Sequence, residues 1–243
     1  MPTKPLRAIV CEGKDDLAVF RELLLAEGAQ KKTAGAPIAG SRVERYETDR
    51  VQITLEERRG KSRLAELALD VAEGSAGTRP DVVLVSFDPD LDPPAREFVF
   101  FERDVDGSKR GRLAKSDDGQ RTLRIKNRDV VLLVAPWRSS TAARFAGLPE
   151  EHSIERVLIE GILASRPDAD PLAAWATEAM TKLHALVQSK GHKRAFRIWT
   201  AALDPDSESF VAHLFQMHET RGACLTAVRA TPAFHALRAL LDG

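Results

Sequence analysis

Short apolar runs and amphipathic stretches alternate along the first half of the chain. The continuous apolar runs have the length of buried parallel strands, and they lie at 6–11, 81–87 and 130–134. Between them, apolar residues recur at helical spacing within 17–25 and 61–73. Strands that alternate with helices in this way predict βαβ units and an α/β fold. The sequence therefore predicts a mostly parallel sheet with helices on both faces.

Less regular segments complete the predicted organisation. Alternating apolar positions in 42–55 suit a strand and its continuation, and 98–102 with 120–125 suggest a hairpin joined by a polar loop. After Pro149 the pattern becomes helical, with helices predicted at 154–164, 171–188, 207–219 and 233–241. We therefore predict an α/β domain over 1–148, with a basic hairpin insertion at about 97–128. A helical C-terminal extension over 149–243 is expected to pack on that domain.

Two of the predicted strands end abruptly in carboxylates. Glu12 and Asp16 follow the first strand, and Asp88 and Asp90 follow the strand at 81–87. Ligands of an open parallel sheet bind outside the carboxyl ends of its strands, so these acids are expected to face one crevice. Clustered carboxylates repel one another unless a cation lies between them, and Mg²⁺ takes oxygen ligands. Taken singly, each acid is also explained as a helix cap or loop residue, with Asp15 or Asp16 capping the first helix.

The two acidic signatures resemble a known family when they are taken together. Hydrophobic-Glu-Gly-x-x-Asp at 12–16, followed by hydrophobic-Asp-x-Asp at 88–90, is similar to the TOPRIM domain of topoisomerases, DnaG-type primases and OLD-family nucleases. The resemblance covers roughly 6–145. It implies a TOPRIM-like sheet and Mg²⁺- or Mn²⁺-dependent hydrolysis of phosphodiester bonds. It also implies catalytic roles for Glu12, Asp88 and Asp90, and metal binding by these three residues together with Asp16.

A further acid enters through the same resemblance. OLD-type TOPRIM nucleases add a downstream Ser and Glu that hold a second metal, and Ser153 with Glu155 has a similar placement. The resemblance thus implies Glu155 as an additional ligand. Ser153 as N-cap, with Glu155 in the first helical turn, explains the same pair without a metal. Glu160, in the same helix, is expected at the surface.

A basic segment offers a second kind of site. Residues 103–128 contain nine Lys or Arg and four Asp, a local excess of five positive charges on a chain of zero net charge. Contacts to nucleic-acid phosphates come largely from such side chains, whereas an isolated charge run is usually a solvated loop. We predict that DNA or RNA is contacted by a basic set consisting of Lys14, Lys109, Arg110, Arg112 and Lys115.

Composition narrows the function classes. Zero net charge, from 36 basic and 36 acidic residues, argues against a histone-like binder but not against a nucleic-acid enzyme with a local basic patch. The two cysteines have no zinc or disulfide spacing, and no signal-peptide or membrane-spanning pattern is found, so a cytoplasmic protein without a membrane partner is expected. Cys11 is predicted to be an ordinary core residue. Tyr46 is the only tyrosine and lies in a predicted strand, which argues against a topoisomerase.

The sequence thus favours a metal-dependent nuclease and leaves two alternatives. One is a non-catalytic TOPRIM module that binds nucleic acid or a phosphorylated ligand. The other is an α/β protein whose acids only cap helices. The chain has no phosphate-binding loop of the ATPase kind, so the nuclease hypothesis includes a separate ATPase or other protein partner, as the resemblance to OLD-type systems implies.

Overall fold

The computed structural model describes residues 4–32, 42–58, 63–74, 79–89, 98–116, 119–138, 153–165, 178 and 210–242. The chain divides into two compact units. The first unit comprises Met1–Phe87, Asp92–Pro136 and Pro232–Gly243, and the second comprises Asp88–Leu91 and Trp137–Thr231. The C-terminal helix therefore belongs to the first unit, although it follows the second unit in the chain.

The first unit contains an eight-stranded sheet. In chain order the strands are β1 (Leu6–Cys11), β2 (Gln30–Lys32), β3 (Arg42–Glu47), β4 (Gln52–Glu57), β5 (Val82–Phe87), β6 (Arg112–Lys115), β7 (Arg121–Ile125) and β8 (Arg128–Pro136). Their order across the sheet is β2-β3-β4-β1-β5-β8-β7-β6. The four central strands pair in parallel, and the two strands at each side pair antiparallel. The sheet is mixed, so the prediction of a mostly parallel sheet describes only its centre.

Helices pack on both faces of this sheet. The described helices are α1 (Lys14–Ala26), α2 (Leu64–Glu73), α3 (Val99–Ser108), α4 (Ile154–Ser165), α5 (Phe210–Gln216), α6 (His218–Arg229) and α7 (Pro232–Asp242). Ala8 and Val10 of β1 share a buried core with α2 and α3. Arg7 points to the opposite face, because successive strand residues alternate, and it donates a hydrogen bond to the carbonyl oxygen of Leu240 in α7. Helix α1 is joined to that second layer by an ion pair of 2.7 Å between Glu27 and Arg238.

The predicted cap of the first helix is wrong. Helix α1 begins at Lys14, with Gly13 in the N-cap position and no side-chain cap. Asp15 and Asp16 therefore lie inside the first turn, where carboxylates interact favourably with the helix dipole. Asp16 is buried there.

The predicted strand at 98–102 is also wrong, because these residues enter helix α3. Phe98, Phe101 and Val105 are buried at spacings of three and four residues, while Val99 is 49% exposed. This is helical periodicity, and it outweighs the strand propensity of the aromatic run. The basic hairpin does form, but from β6 and β7.

The remaining elements agree with the sequence in part. The segment 42–55 forms two antiparallel strands, β3 and β4. The helix predicted at 207–219 is interrupted at Met217, which separates α5 from α6. The helix predicted at 171–188 lies outside the described residues apart from Glu178. Within the described part of the chain, no helix has the length and apolar character needed to cross a bilayer.

Candidate functional site

The first group of candidate residues lies at the carboxyl ends of three neighbouring central strands, β4, β1 and β5. Cys11 lies opposite Glu57 on one side and Ser86 on the other. Directly opposed residues share a face, so these three side chains form one row, and all three are buried. Glu12 follows Cys11 and is partly buried, and Asp16 is 5% exposed. Three carboxylates of the first unit therefore belong to this group.

The pKa of the Cys11 thiol is affected by its burial and by the carboxylates near it. Burial raises its pKa well above the usual value, and the nearby Asp16 and Glu57 carboxylates raise it further. The thiol therefore stays protonated, as expected for the core residue predicted from the sequence.

Glu57 was missed by the sequence reasoning. It is 5% exposed, and its Oε1 lies 3.9 Å from Nε of the exposed Arg42. Its Oε2 is buried without a hydrogen bond to any described group. The signal was present in the sequence, because the apolar residues of 51–55 are followed at once by two glutamates, as in the two recognised signatures.

Asp88 has a structural role within the second unit. Its Oδ1 accepts a buried hydrogen bond of 2.9 Å from the backbone N–H of Ile154, the first residue of α4. Ser153 Oγ accepts a hydrogen bond of 3.3 Å from the N–H of Arg156, which confirms the predicted N-cap. The start of α4 thus has two side-chain acceptors for amides that the helix itself leaves unsatisfied.

The acids of α4 are buried rather than exposed. Glu155 is 7% exposed and Glu160 is 9% exposed, so the expectation that Glu160 lies at the surface is wrong. Arg156 Nε donates a hydrogen bond of 2.8 Å to Glu160 Oε1, one helical turn away. A buried carboxylate needs such a partner, which is why an Arg precedes it at this spacing.

The described residues alone do not form the predicted metal centre. Asp90 lies outside them, so its role stays a prediction. Glu12 and Asp16 belong to the first unit, whereas Asp88 and Glu155 belong to the second. In the part of the chain that the structure describes, no three His, Cys, Asp or Glu side chains are grouped so that they could hold a metal ion. The described residues of either unit therefore do not by themselves complete the ligand set of a Mg²⁺ or Mn²⁺ ion.

A basic groove in the first unit is the second candidate. It has a volume of about 630 Å³. Its lining comes from the end of α3, the β6–β7 hairpin and the β7–β8 turn, and consists of Asp106, Lys109, Arg110, Gly111, Arg112, Leu113, Arg124 and Lys126. The predicted basic hairpin is therefore part of a concave surface.

The five cations of this basic groove differ in their partners. Arg110 reaches Asp70 at 2.6 Å and Glu73 at 3.0 Å, both on α2, and these hydrogen bonds raise the pKa of its guanidinium. Arg124 forms a two-pronged pair with Asp129 at 2.8 and 3.0 Å. By contrast, the exposed side chains of a groove triad, Lys109, Arg112 and Lys126, have no ion pair with any described residue.

The predicted nucleic-acid contacts differ in their surroundings. Lys14 is exposed in the first turn of α1, and Lys115 is exposed at the end of β6. Lys109 and Arg112 line the basic groove with charges that no described acid neutralises. Arg110 is held by the acids of α2, so its structural role is to fix the groove against that helix.

Tyr46 is poorly placed to act as a nucleophile. It lies in β3, is 1% exposed, and its hydroxyl donates a hydrogen bond of 2.6 Å to Glu44. Burial, and then this carboxylate, raise the pKa of the phenol. A buried phenol that stays protonated is unsuited to attack a phosphodiester.

The capping role of Asp88 gives a direct prediction about stability. Asp88→Ala is expected to lower the free energy of unfolding of the second unit by about 2 kcal/mol, because the buried N–H of Ile154 loses its acceptor. Asp88→Asn keeps an oxygen in place and is expected to cost about half as much. Urea denaturation of both variants measures the difference. Equal losses would mean that the charge of Asp88, rather than its acceptor oxygen, stabilises α4.

Comparison with known proteins gives the fold. No family model matches the chain. No curated protein matches it either. Among solved structures, it is similar to the crystal structure of hypothetical protein PH0156 from Pyrococcus horikoshii OT3, with a TM-score of 0.64. The alignment covers 98% of this chain and 100% of that chain at 15% sequence identity. At this identity, the likeness shows that the two chains share their α/β fold and nothing more.

Proposed function

We propose that the protein is a Mg²⁺- or Mn²⁺-dependent nuclease that hydrolyses phosphodiester bonds of DNA or RNA at a TOPRIM-like site. The observation that carries this proposal is the order of the strands. β1 and β5 are parallel neighbours, with Cys11 opposite Ser86. Each of these strands is followed by an acid of the TOPRIM signature, Glu12 after β1 and Asp88 after β5. Acids that follow neighbouring parallel strands start from the same edge of the sheet, and ligands of such sheets bind at that edge.

The residue roles in this proposal rest on the resemblance. Glu12 is assigned to proton transfer or a second ion, Asp88 and Asp90 to the principal ion, and Asp16 with Glu155 to further ligation. A separate ATPase or other protein partner belongs to the same hypothesis. The capping bond of Asp88 does not conflict with it, because a carboxylate has a second oxygen available to another partner.

The first test is turnover. Purified protein is incubated with single- and double-stranded DNA and RNA in Mg²⁺, in Mn²⁺ and in EDTA. Cleavage is expected with either metal and not in EDTA. Absence of cleavage under every metal, with and without candidate ATPase partners, would contradict the nuclease proposal.

Glu12→Gln is expected to reduce the cleavage rate by on the order of a hundred-fold or more, because it removes the charge and basicity of an essential group. Nucleic-acid affinity should stay within a few-fold, because phosphate contacts lie elsewhere. Glu66→Gln is the matched control, since Glu66 is an exposed acid on α2. An unchanged rate in Glu12→Gln would exclude Glu12 from catalysis.

A second candidate is a module that binds nucleic acid without cleaving it. It is favoured by the exposed triad of the basic groove, whose charges have no ion-pair partner among the described residues. The two candidates differ in metal-dependent turnover alone. If the acids only cap helices, the protein should neither cleave nucleic acid nor bind a metal. A calorimetric titration with Mn²⁺ should then give no heat of binding.

A further inference from the structure

We propose that the basic groove holds the sugar-phosphate backbone of a nucleic-acid duplex, in preference to a single strand. The groove triad of Lys109, Arg112 and Lys126 supplies the phosphate contacts, with Arg124 beside them. This inference rests on the proposed function only in taking nucleic acid as the partner. It does not require cleavage.

Two positive charges face each other inside the groove. Arg112 and Arg124 are directly opposite each other in the β6–β7 pairing, so their side chains project from the same face. Like charges in this arrangement destabilise a hairpin. Asp129 neutralises only Arg124, and Asp106 is the one acid among the groove-lining residues. A bound anion between the two arginines would relieve this repulsion.

The backbone at two of the cations supports a ligand role for their side chains. Lys109 ends α3 with a φ of 58°, and Lys126 has a φ of 53° in the two-residue turn between β7 and β8. Both positions are left-handed, a conformation that favours Gly or Asn. Neither turn requires lysine, so both lysines occupy positions where glycine would be less strained. Their shared feature is that each delivers a cation to the groove.

The lining of the groove distinguishes a duplex from a single strand. Single-strand binding proteins stack bases on aromatic side chains, and no aromatic residue is among those that line this groove. Two phenylalanines at the start of α3 are engaged elsewhere. The ring centroids of Phe98 and Phe101 lie 4.6 Å apart, and Cζ of Arg121 lies 5.2 Å from the centroid of the Phe98 ring. A groove with cations but no aromatic stacking surface is suited to bind the charged sugar-phosphate backbone rather than the bases. Duplexes carry the denser charge and release more counterions for each contact.

The test measures binding in EDTA, so that cleavage does not interfere. A duplex of about 20 base pairs and one of its strands are titrated with wild type and with the groove-triad variant Lys109→Gln, Arg112→Gln, Lys126→Gln over a range of salt. Wild type is expected to bind the duplex more tightly than the strand. For the duplex, the slope of log affinity against log salt should fall in magnitude by about 2.7 in the variant, or 0.9 for each lost phosphate contact.

Two controls separate the groove from general charge and from folding. The variant Lys31→Gln, Lys32→Gln, Arg50→Gln removes the same charge from exposed positions outside the groove, and its slope should match wild type. The double variant Lys109→Gly, Lys126→Gly removes two cations while relieving two left-handed lysines. It should unfold at the same temperature as wild type or at a higher one. Its slope of log affinity against log salt should still fall in magnitude by about 1.8.

Each outcome is decisive for this inference. An unchanged slope in the groove-triad variant, tighter binding of the single strand, or no duplex binding by wild type at low salt would overturn it. Failure of the nuclease proposal is a separate result. If the protein shows the predicted slopes but cleaves nothing, the nuclease proposal fails and the duplex-binding groove stands. If it cleaves nucleic acid while the groove-triad variant keeps full affinity, only the inference about the groove is overturned.

Discussion

Replacing Gly161 by alanine is expected to destabilise the second unit by about 3 kcal/mol. A Cβ at this position of α4 would lie 2.8 Å from Cβ of Ala227 and 2.9 Å from the carbonyl oxygen of Ala223, both on α6. Real Cβ atoms do not approach other atoms this closely, and one of the obstacles is backbone, which cannot rotate away. The two helices would have to move apart, and the buried contacts between them would weaken.

Gly222→Ala is the matched control for this prediction. Gly222 is also a helical glycine in the same pair of helices, but a Cβ there meets nothing within 4 Å. Alanine should therefore stabilise the protein by about 0.5–1 kcal/mol through its higher helix propensity. Urea denaturation of the two variants should give changes of opposite sign. A Gly161→Ala variant that is as stable as wild type, or more stable, would show that α4 and α6 are not in close contact at Gly161.

The packing of α4 against α6 also affects Asp88 and Glu155, the predicted site residues of the second unit. Helix α4 carries Glu155 and begins at Ile154, whose N–H is bonded to Asp88. Small residues at the contact let α4 and α6 approach closely, and this approach keeps the buried start of α4 in place. We therefore expect Gly161→Ala to disturb Asp88 and Glu155 without touching either carboxylate.

The central strands could be predicted because their signal is local. The apolar runs at 6–11, 81–87 and 130–134 correspond to β1, β5 and β8, and these pair in parallel as expected. A strand buried on both faces needs apolar residues at nearly every position, and few other structures produce that pattern. The antiparallel strands at the sides of the sheet have weaker patterns. Their presence depends on pairing partners distant in the chain, which a single sequence does not reveal.

Helix α3 and Glu160 were misjudged for a different reason. Phe98, Phe101 and Val105 have helical spacing, but the aromatic run also suits a strand, and only the packing against α2 decides between them. Glu160 was assigned to the surface because isolated carboxylates are rarely buried. The compensating Arg156, four residues earlier, was visible in the sequence, but the burial that makes the pair necessary was not.

The candidate site was foreseen as residue types rather than as an arrangement. Glu12 and Asp16 do lie at the end of β1, and the cations of the basic hairpin do line a groove. The partners of these residues were not foreseen. Pairing of Arg110 with Asp70 and Glu73 joins segments about forty residues apart, and the bond between Asp88 and Ile154 joins segments 66 residues apart. Such contacts follow from the tertiary fold, and motif spacing carries no information about them.

A buried carboxyl in the first unit should make the stability of the protein depend on pH. Glu56 of β4 is 1% exposed, and its Oε2 has no hydrogen bond to a described group. Burial raises the pKa of this carboxyl from 4.5 to about 7, although Arg58, Thr54 and Arg45 act in the opposite direction. Between these two pH values the folded protein keeps the proton and the unfolded chain loses it.

The sign of the effect follows from this difference in bound protons. The unfolded state binds fewer protons within the window, so the free energy of unfolding falls as pH rises from about 4.5 to about 7. The loss attributable to Glu56 amounts to about 3 kcal/mol, and it is complete above pH 7. The contribution is fully present below pH 4.5, where the group is protonated in both states.

Glu56→Gln is therefore expected to stabilise the protein by about 3 kcal/mol at pH 8 and to change it little near pH 4.5. Glutamine keeps the shape of the protonated acid and cannot ionise, so the decline with pH attributable to this group should disappear. Urea denaturation of wild type and variant at several pH values between 4.5 and 8 measures the difference. If Glu56→Gln instead weakens the protein at pH 8, then Glu56 is ionised in the folded state, and the attraction of Arg58 and Arg45 outweighs its burial.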